Sequence, residues 1–372
     1  MRECKLAISH DEFLKTRNFA ALDGLRAIAV FLVFGFHFGG YVWWNSYAGW
    51  LGVYAFFVLS GFLITTLLLR ERDATGAVSL TAFYIRRSTR ILPLYYLVYF
   101  VVLGLTYAAQ AEAWDRMVAA TPYYLTFMNE IAPFASLAQS WTLGIEWKFY
   151  LLWPALFVLF SASIASRFGL VVGCIAALMV LMLTQLQPSW LLPWHYLGLL
   201  IGAAMAIVMH TRSTFGWVRF LMTQTAAIVL VVLLCIVHRR ALYIVSKIGN
   251  PEMIVIYCVL IALLLPALVA NTYVKRALSS RFLVFVGRRS YGMYLIQYPA
   301  ALAAAGLSKE TFPEGWPLVF GSFAVALVAA DFLYRWFEKP LTDWGHRWAK
   351  AAKQRAMLPP KASVSKINGS KF

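Results

Sequence analysis

A histidine and several arginines with possible chemistry lie within or beside apolar stretches of this chain. Arg26 and His37 are both in the stretch 20–39, eleven residues apart. At 100° per residue this spacing returns to within about 20° of the same helix face, about 16 Å along the axis. Ionisable residues inside apolar spans are costly and are therefore functional candidates. An imidazole exchanges a proton near neutral pH, whereas a guanidinium stays charged. His37 is thus the candidate general base, and the alternative is a structural histidine with Arg26 as an interfacial anchor.

A carboxylate is expected at a depth similar to that of His37. Glu146 lies near the start of another apolar span, which we expect to begin on the same side of the membrane. A carboxylate beside an imidazole fixes its tautomer and raises its basicity. We therefore predict a catalytic pair of His37 and Glu146, with an interfacial Glu146–Lys148 ion pair as the alternative. Three neighbouring aromatic residues are candidates for the wall of an acceptor cavity: Trp141, Phe149 and Tyr150.

An arginine cluster precedes the third apolar span. It consists of Arg86, Arg87 and Arg90, and the first and last of these share a helix face because they are four residues apart. Clustered guanidinium groups bind phosphate through bidentate contacts. With Arg26, these residues are candidates for binding a donor that carries phosphate. The alternative is that they only set the orientation of the chain in the membrane.

The composition places these residues in a membrane protein. Of 372 residues, 61% are hydrophobic and 13% charged, and the mean hydropathy is +0.69. Ordinary soluble domains have about 25% charged residues, so a soluble fold is excluded, and the 60 aromatic residues exclude disorder. The four cysteines show neither a CxxC motif nor metal-ligand spacing, so we predict no metal site.

The apolar stretches predict an all-α bundle of about ten transmembrane helices. Each stretch is continuously apolar and about 20 residues long, which favours helices over barrel strands. The predicted spans are 20–39, 50–69, 92–110, 144–161, 168–186, 192–209, 217–237, 253–272, 281–304 and 316–338.

Lysines and arginines in the loops predict that both termini are cytoplasmic. Most of them fall on the side of the N-terminus, and the segment 238–252, with three basic residues outside, fits this topology least well. The net charge of +17 is then an orientation signal and an attraction to anionic lipid rather than evidence for nucleic acid. We predict three regions: a cytoplasmic segment 1–19, a transmembrane domain 20–340 and a basic, partly disordered cytoplasmic tail 341–372.

Several of these segments, in this order, resemble the acyltransferase-3 family of integral-membrane acyltransferases. The resemblance extends from about residue 20 to residue 340. The matching segments are 22–26 (LDGLR) with His37, 52–64 (GVYAFFVLSGFLI), 86–93 (RRSTRILP) and 140–150 (SWTLGIEWKFY), with weaker matches at 290–295 (SYGMYL) and 338–340 (EKP).

The resemblance implies a ten-helix layout and O-acylation, often O-acetylation, of extracytoplasmic glycans. It implies that His37 is the catalytic base and that the arginines of 86–90 handle acyl-CoA. Two positions depart from the family pattern: Tyr54 replaces a common Asp, and Gln297 replaces a common His. A mechanism that needs a second histidine on the ninth span is therefore not supported. No esterase-like domain follows the last helix, which disfavours the two-domain peptidoglycan type.

The function expected from the sequence is transfer of an acyl group, first of all acetyl, from cytosolic acyl-CoA to a hydroxyl of an envelope or exported glycan. Acyl-CoA, acetyl-CoA in the first instance, is then a co-substrate and no cofactor stays bound. The partners are a glycan or glycolipid acceptor and membrane lipids, not nucleic acid, and the location is a bacterial inner membrane. A transporter or flippase of a glycan or lipid-linked sugar is the alternative, since buried charges also suit that class.

Overall fold

The computed structural model describes residues 7–40, 48–109, 113–160, 162–184, 193–307 and 315–357, and the regular structure in these ranges is helical. A π-helical turn, Tyr334–Glu338, joins the last two α-helices. The α-helices are α1 (His10–Lys15), α2 (Ala20–Phe38), α3 (Gly52–Thr75), α4 (Leu80–Ala108), α5 (Ala113–Leu125), α6 (Trp141–Phe160), α7 (Ile164–Thr184), α8 (Pro193–His210), α9 (Arg212–Phe215), α10 (Gln224–Ile248), α11 (Asn250–Val269), α12 (Tyr273–Leu278), α13 (Arg281–Leu295), α14 (Gln297–Leu307), α15 (Trp316–Leu333) and α16 (Lys339–Met357).

Nine helical segments in the described ranges are long and apolar enough to cross a membrane. They contain α2, α3, α4, α6, α7, α8, α10, α11 and the continuous helical stretch that begins at α15. This confirms the all-α polytopic bundle. Nine of the ten predicted spans overlap these segments, whereas the span 281–304 does not form one helix.

The predicted span 281–304 is divided at Ile296 into α13 and α14. Pro299 explains the break, because proline lacks an N–H and its ring clashes with the carbonyl four residues earlier. That carbonyl belongs to Leu295, and the side-chain amide of Gln139 donates to it at 3.4 Å. The freed carbonyl of Leu295 therefore has a hydrogen-bond donor in the short 3₁₀ turn just before α6. This hydrogen bond connects the break between α13 and α14 to the start of α6.

The predicted outer segment 238–252 is also different in the structure. Helix α10 starts at Gln224 rather than at residue 217 and continues to Ile248, so that Arg239, Arg240 and Lys247 are helical. A single residue, Gly249, separates α10 from α11, with φ of 98°. Only glycine adopts this conformation without strain. The expected outer loop is therefore wrong, because an amphipathic extension of the helix replaces it.

Close packing of α2 against α13 brings charged groups of the two helices together. A Cβ atom on Gly287 would collide with the backbone carbonyl of Asp23, so the contact requires glycine. At this contact the Asp23 carboxylate accepts from Nε of Arg288 at 3.4 Å and from Arg26 at 3.3 Å. Asp23 and Arg26, three residues apart, therefore share one face of α2.

The first and last helices lie at the same end of the bundle. Arg70 of α3 donates to the carbonyls of Thr16 (2.7 Å) and Phe13 (2.9 Å), which are orphan acceptors at the end of α1. Lys353 of α16 pairs with Glu71 at 2.9 Å. We call this end, which carries Arg17, Arg70, Arg288 and Lys339, the basic end. It is the end predicted to be cytoplasmic. Residues 341–357 of the predicted tail are helical, and residues 358–372 lie outside the described part.

Candidate active site

A cavity of about 550 Å³ extends from the basic end into the bundle. Its walls come from α2, α3, α4, α6, α13, the π-turn and the start of α16. Its volume is within the range of small-molecule sites. The charged lining residues are Arg17, Asp23, Arg26, Arg70, Arg87, Arg90, Glu146, Arg288, Glu338, Lys339 and Asp343. Seven of these are basic and four are acidic, so the cavity favours an anionic ligand.

The inner part of the cavity holds a short hydrogen-bonded chain of three side chains. Ser60 Oγ donates to Glu146 Oε1 at 2.7 Å, and the Tyr150 hydroxyl donates to Ser60 Oγ at 3.3 Å. Ser60 comes from α3, whereas Glu146 and Tyr150 are four residues apart on one face of α6. The arrangement places a carboxylate and two hydroxyls against the cavity.

The guanidinium groups of the predicted cluster have different surroundings. Arg87 and Arg90 line the cavity, and within the described ranges neither forms an ion pair. The Arg87 guanidinium lies over the rings of Tyr150 (5.6 Å) and Phe83 (5.7 Å). Arg86, in contrast, pairs with Glu71 at 3.1 Å and is not a lining residue. The structure thus brings three of the four predicted donor-binding arginines, including Arg26, to one cavity.

Lys148 has a partner other than Glu146. Its ammonium group pairs with Glu130 Oε1 at 2.5 Å and donates to the carbonyl of Phe127 at 2.9 Å. The alternative of a Glu146–Lys148 ion pair is therefore wrong. Because Lys148 is neutralised elsewhere, the Glu146 carboxylate is left to Ser60 and to the electrostatic field of Arg26 and Arg87.

The predicted aromatic wall is only partly present. Tyr150 lines the cavity, whereas Trp141 and Phe149 do not. Phe149 stacks on Trp153 at 5.5 Å between ring centroids, and Trp141 contacts the His195 ring at 4.6 Å. Consecutive helix positions point about 100° apart, so Phe149 and Tyr150 cannot both face the same space.

His37 is not next to Glu146. It does not line the cavity, and Nδ1 of its half-buried imidazole lies 3.1 Å from the Tyr298 hydroxyl. Its ring also contacts Phe36 and Phe38. The predicted His37–Glu146 hydrogen bond does not form within the described part of the chain, because α6 presents Glu146 to α3 rather than to the end of α2. The individual roles of the two residues stay predictions.

The two positions that depart from the family pattern are both buried. The Tyr54 hydroxyl lies 2.9 Å from His195 Nδ1, and their rings are stacked. Gln297 is fully buried, and its amide has no hydrogen-bond partner among the described residues. The described residues contain no group of three or more His, Cys, Asp or Glu that could hold a metal ion.

Sequence reasoning missed Ser60 and Glu338 as lining residues. Ser60 is a small polar residue in an apolar helix, and such a residue also occurs in structural contacts. Glu338 is nearly buried in the cavity wall, and its Oε1 has no partner in the described part of the chain. It lies in the π-turn, a feature that is frequent at functional sites. Both residues stand in segments that carried the resemblance, which is the signal that could have found them.

The fold and the cavity define a polytopic membrane protein with a charged internal site open to an anionic ligand. The chain matches the family model described as "Acyltransferase domain", of the acyltransferase-3 type, over residues 19–335. It therefore belongs to the acyltransferase-3 family, a family of acyltransferases.

Three relatives with longer chains show the extent of the similarity. A "Putative O-acetyltransferase" of Staphylococcus aureus (strain COL) is 28% identical over 90% of this chain and 59% of its own length. The "Putative peptidoglycan O-acetyltransferase YrhL" of Bacillus subtilis (strain 168) is 29% identical over 89% and 56%. Peptidoglycan O-acetyltransferase OatA of Listeria monocytogenes is 26% identical over 87% and 56%. The chain thus spans less than three fifths of each of these relatives, and no solved structure gives a significant match.

Proposed function

We propose that this protein transfers an acyl group, in the first instance acetyl, from cytosolic acyl-CoA to a hydroxyl of an envelope glycan. The observation that carries this proposal is the cavity at the basic end, where unpaired Arg87 and Arg90 stand beside Arg26 and lead inward to Glu146. The phosphates of CoA suit such guanidinium groups, and its long pantetheine arm suits a deep, narrow cavity.

The interior of the cavity supports chemistry on a thioester carbonyl. Attack on that carbonyl places negative charge on its oxygen, and Arg26 and Arg87, which both line the cavity, supply positive charge. Glu146 lies in the same space and can accept a proton. The part of the cavity wall that suits the acyl group is apolar and consists of Val53, Phe56 and Phe57 of α3.

His37 is proposed as the base for the acceptor hydroxyl. When Nδ1–H donates to the Tyr298 oxygen, the lone pair of Nε2 is free to take a proton. Tyr298 then has the orienting role that the sequence assigned to Glu146. His37 lies near the end of α2 away from the basic end, where an acceptor outside the membrane would approach.

The acceptor is proposed to be a glycan, and peptidoglycan is the first one to test. The B. subtilis and L. monocytogenes relatives are named for O-acetylation of peptidoglycan, and this outweighs the expectation from the sequence that disfavoured it. A bacterial inner membrane is the proposed location, because acyl-CoA on one side and an envelope glycan on the other meet there.

The test is acyl-CoA turnover by the purified protein in nanodiscs. Radiolabelled acetyl-CoA is supplied with peptidoglycan fragments or other envelope glycans, and CoA release and labelled glycan are measured for the wild type and for Arg90→Ala. We expect transfer by the wild type and a raised KM for acetyl-CoA in the variant. Absence of both acyl-CoA binding and CoA release would contradict the proposal and favour a transporter.

A further inference from the structure

The charged cavity and His37 are separate, which leaves open how an acyl group that enters from the basic end is passed on. The lining residues of α2 end at Arg26, eleven residues and about 16 Å before His37. Ser60 lies inside the membrane part of α3, ten residues from Arg70 at the basic end and eight from Gly52 at the other. Ser60 is therefore near the middle of α3, and it lines the same cavity as Arg26 and Arg87.

The hydrogen bonds of Ser60 have the donor and acceptor directions that a nucleophilic serine needs. Its Oγ donates to the Glu146 carboxylate at 2.7 Å, so the hydroxyl hydrogen points at a group that can act as a base. Tyr150 donates to the same Oγ at 3.3 Å, which leaves one lone pair of the oxygen free. A serine becomes a nucleophile when an adjacent base takes its proton, and this is the geometry observed.

The surroundings of Ser60 suit an acyl group and its transition state. Phe56 and Phe57 of α3 and Leu143 of α6 line the same cavity and give it apolar surface that suits an acyl chain. Arg26 and Arg87 line it as well and supply positive charge for the carbonyl oxygen. Glu146 is not neutralised by Lys148, which pairs with Glu130. The carboxylate is thus available to Ser60.

We infer that Ser60 is a catalytic nucleophile that accepts the acyl group from the donor, with Glu146 as its base. This inference rests on the proposed function. In the first step Ser60 Oγ attacks the thioester carbonyl, its proton moves to Glu146, the C–S bond breaks and the proton passes to the departing CoA sulfur. In the second step an acceptor hydroxyl attacks the acyl-serine ester while His37, the proposed base, takes the proton of that hydroxyl. The bond to Ser60 Oγ then breaks, and the proton is passed on to Ser60 Oγ.

The experiment traps the acyl-enzyme of the 372-residue chain. Protein in nanodiscs is mixed with radiolabelled acetyl-CoA without acceptor, quenched in acid and mapped by peptide mass spectrometry. We expect a burst of CoA release stoichiometric with enzyme and an acetyl ester on Ser60. Ser60→Ala should lose the label and slow CoA release by about 10²-fold or more.

Further variants separate a nucleophile from a residue that only positions others. Ser60→Cys should shift the label to a thioester that hydroxylamine cleaves at neutral pH, which a structural role would not produce. Ser322→Ala is the matched control: this serine is buried in α15, outside the cavity, and bonds to its own helix at 3.1 Å. The Ser322→Ala variant should be labelled at Ser60 to the same extent as the wild type.

The outcomes distinguish this inference from the proposed function. Turnover of acetyl-CoA with a label on another residue, or with no label at all, would overturn the role of Ser60 and leave the acyltransferase intact. Retention of wild-type turnover by Ser60→Ala would do the same. A wild type that neither binds nor turns over acyl-CoA would overturn both.

Discussion

The two halves of the candidate site differ in the chemistry of their walls. At the basic end the cavity is lined by arginines, lysine and carboxylates around a 550 Å³ space. Around His37, at the far end of α2, the imidazole is surrounded by Phe36, Phe38 and Tyr298. A highly charged wall suits an anionic donor, whereas an aromatic one suits a neutral hydroxyl compound. Under the proposed function, this difference predicts that donor and acceptor bind at different depths of one bundle.

A second difference separates neighbours within the arginine cluster. Arg87 and Arg90 face the cavity without an ion pair among the described residues, whereas the guanidinium of Arg86 is held by Glu71. Glu71 also pairs with Lys353 of α16. Arg86 therefore belongs to the contact between α3, α4 and the last helix. Residues that look equivalent in sequence thus divide into two that face the cavity, Arg87 and Arg90, and one that joins helices, Arg86.

The largest expected effect is at His37. His37→Ala should lower the rate of transfer to a glycan by about 10²- to 10⁴-fold, because the base for the acceptor hydroxyl is lost. Acetylation of Ser60 in the absence of acceptor should persist, since that step uses Glu146. The control is His346→Ala, which changes an exposed side chain of α16 and should transfer acetyl to the glycan at the wild-type rate. Loss of Ser60 labelling in His37→Ala would show that the two halves of the site are not separate.

The next effect concerns donor binding. Arg90→Ala should raise the KM for acetyl-CoA by about 10- to 100-fold, the equivalent of one lost charge-assisted hydrogen bond of about 1.5–3 kcal/mol. Initial rates over a range of acetyl-CoA concentrations measure this. A truncated donor, acetyl-pantetheine, which has no phosphates, provides the control: its KM should not respond to the arginine change. An equal rise in KM for both donors would show that the arginine does not bind the phosphates of CoA.

A smaller effect is expected at Tyr298. Tyr298→Phe removes the hydrogen bond to His37 Nδ1, worth about 1 kcal/mol, and should lower glycan transfer about fivefold with little change in the KM for acetyl-CoA. The pH profile of transfer should move as well, because the hydrogen bond biases the tautomer of the imidazole. An unchanged rate and profile would show that Tyr298 does not orient the base.

The smallest effect is expected at Arg86. Arg86→Ala should change the KM for acetyl-CoA by no more than about two- to fivefold, since a partly exposed ion pair contributes about 0.2–1 kcal/mol. Glu71→Gln should have a similar effect, and the double variant should be no worse than either single one if the pair acts as a unit. A rise in KM for Arg86→Ala as large as that for Arg90→Ala would contradict the division of the cluster.

Much of the fold could be predicted because membrane spans have a strong local signal. Continuous apolar stretches of about 20 residues located nine spanning segments, including those that carry Arg26 and Glu146. Two details could not be read in this way. The span 281–304 is divided because Pro299 removes a backbone bond that Gln139 replaces from elsewhere. The segment after residue 237 is less apolar but stays helical up to Ile248, and α10 ends only at Gly249, whose φ is positive.

The residues of the candidate site were easier to predict than their contacts. Arg26, Arg87, Arg90, Glu146 and Tyr150 were chosen as ionisable or aromatic residues in or beside apolar spans, and all of them line one cavity. The His37–Glu146 pair rested on matched depth alone. Depth leaves the rotation of each helix undetermined, and the rotation of α6 turns Glu146 toward Ser60.

The sequence alone determined that the chain is a membrane bundle of helices, which residues carry charge into it, and its resemblance to the acyltransferase-3 family. These properties follow from the cost of placing polar groups in hydrocarbon, which acts on each residue where it stands in the chain. The tertiary structure decided that Ser60 bonds to Glu146, that Tyr298 rather than Glu146 contacts His37, and that Arg86 is held apart from Arg87 and Arg90. Each of these contacts joins residues far apart in sequence or depends on how one helix is rotated against its neighbours, and that is settled by packing over the whole bundle.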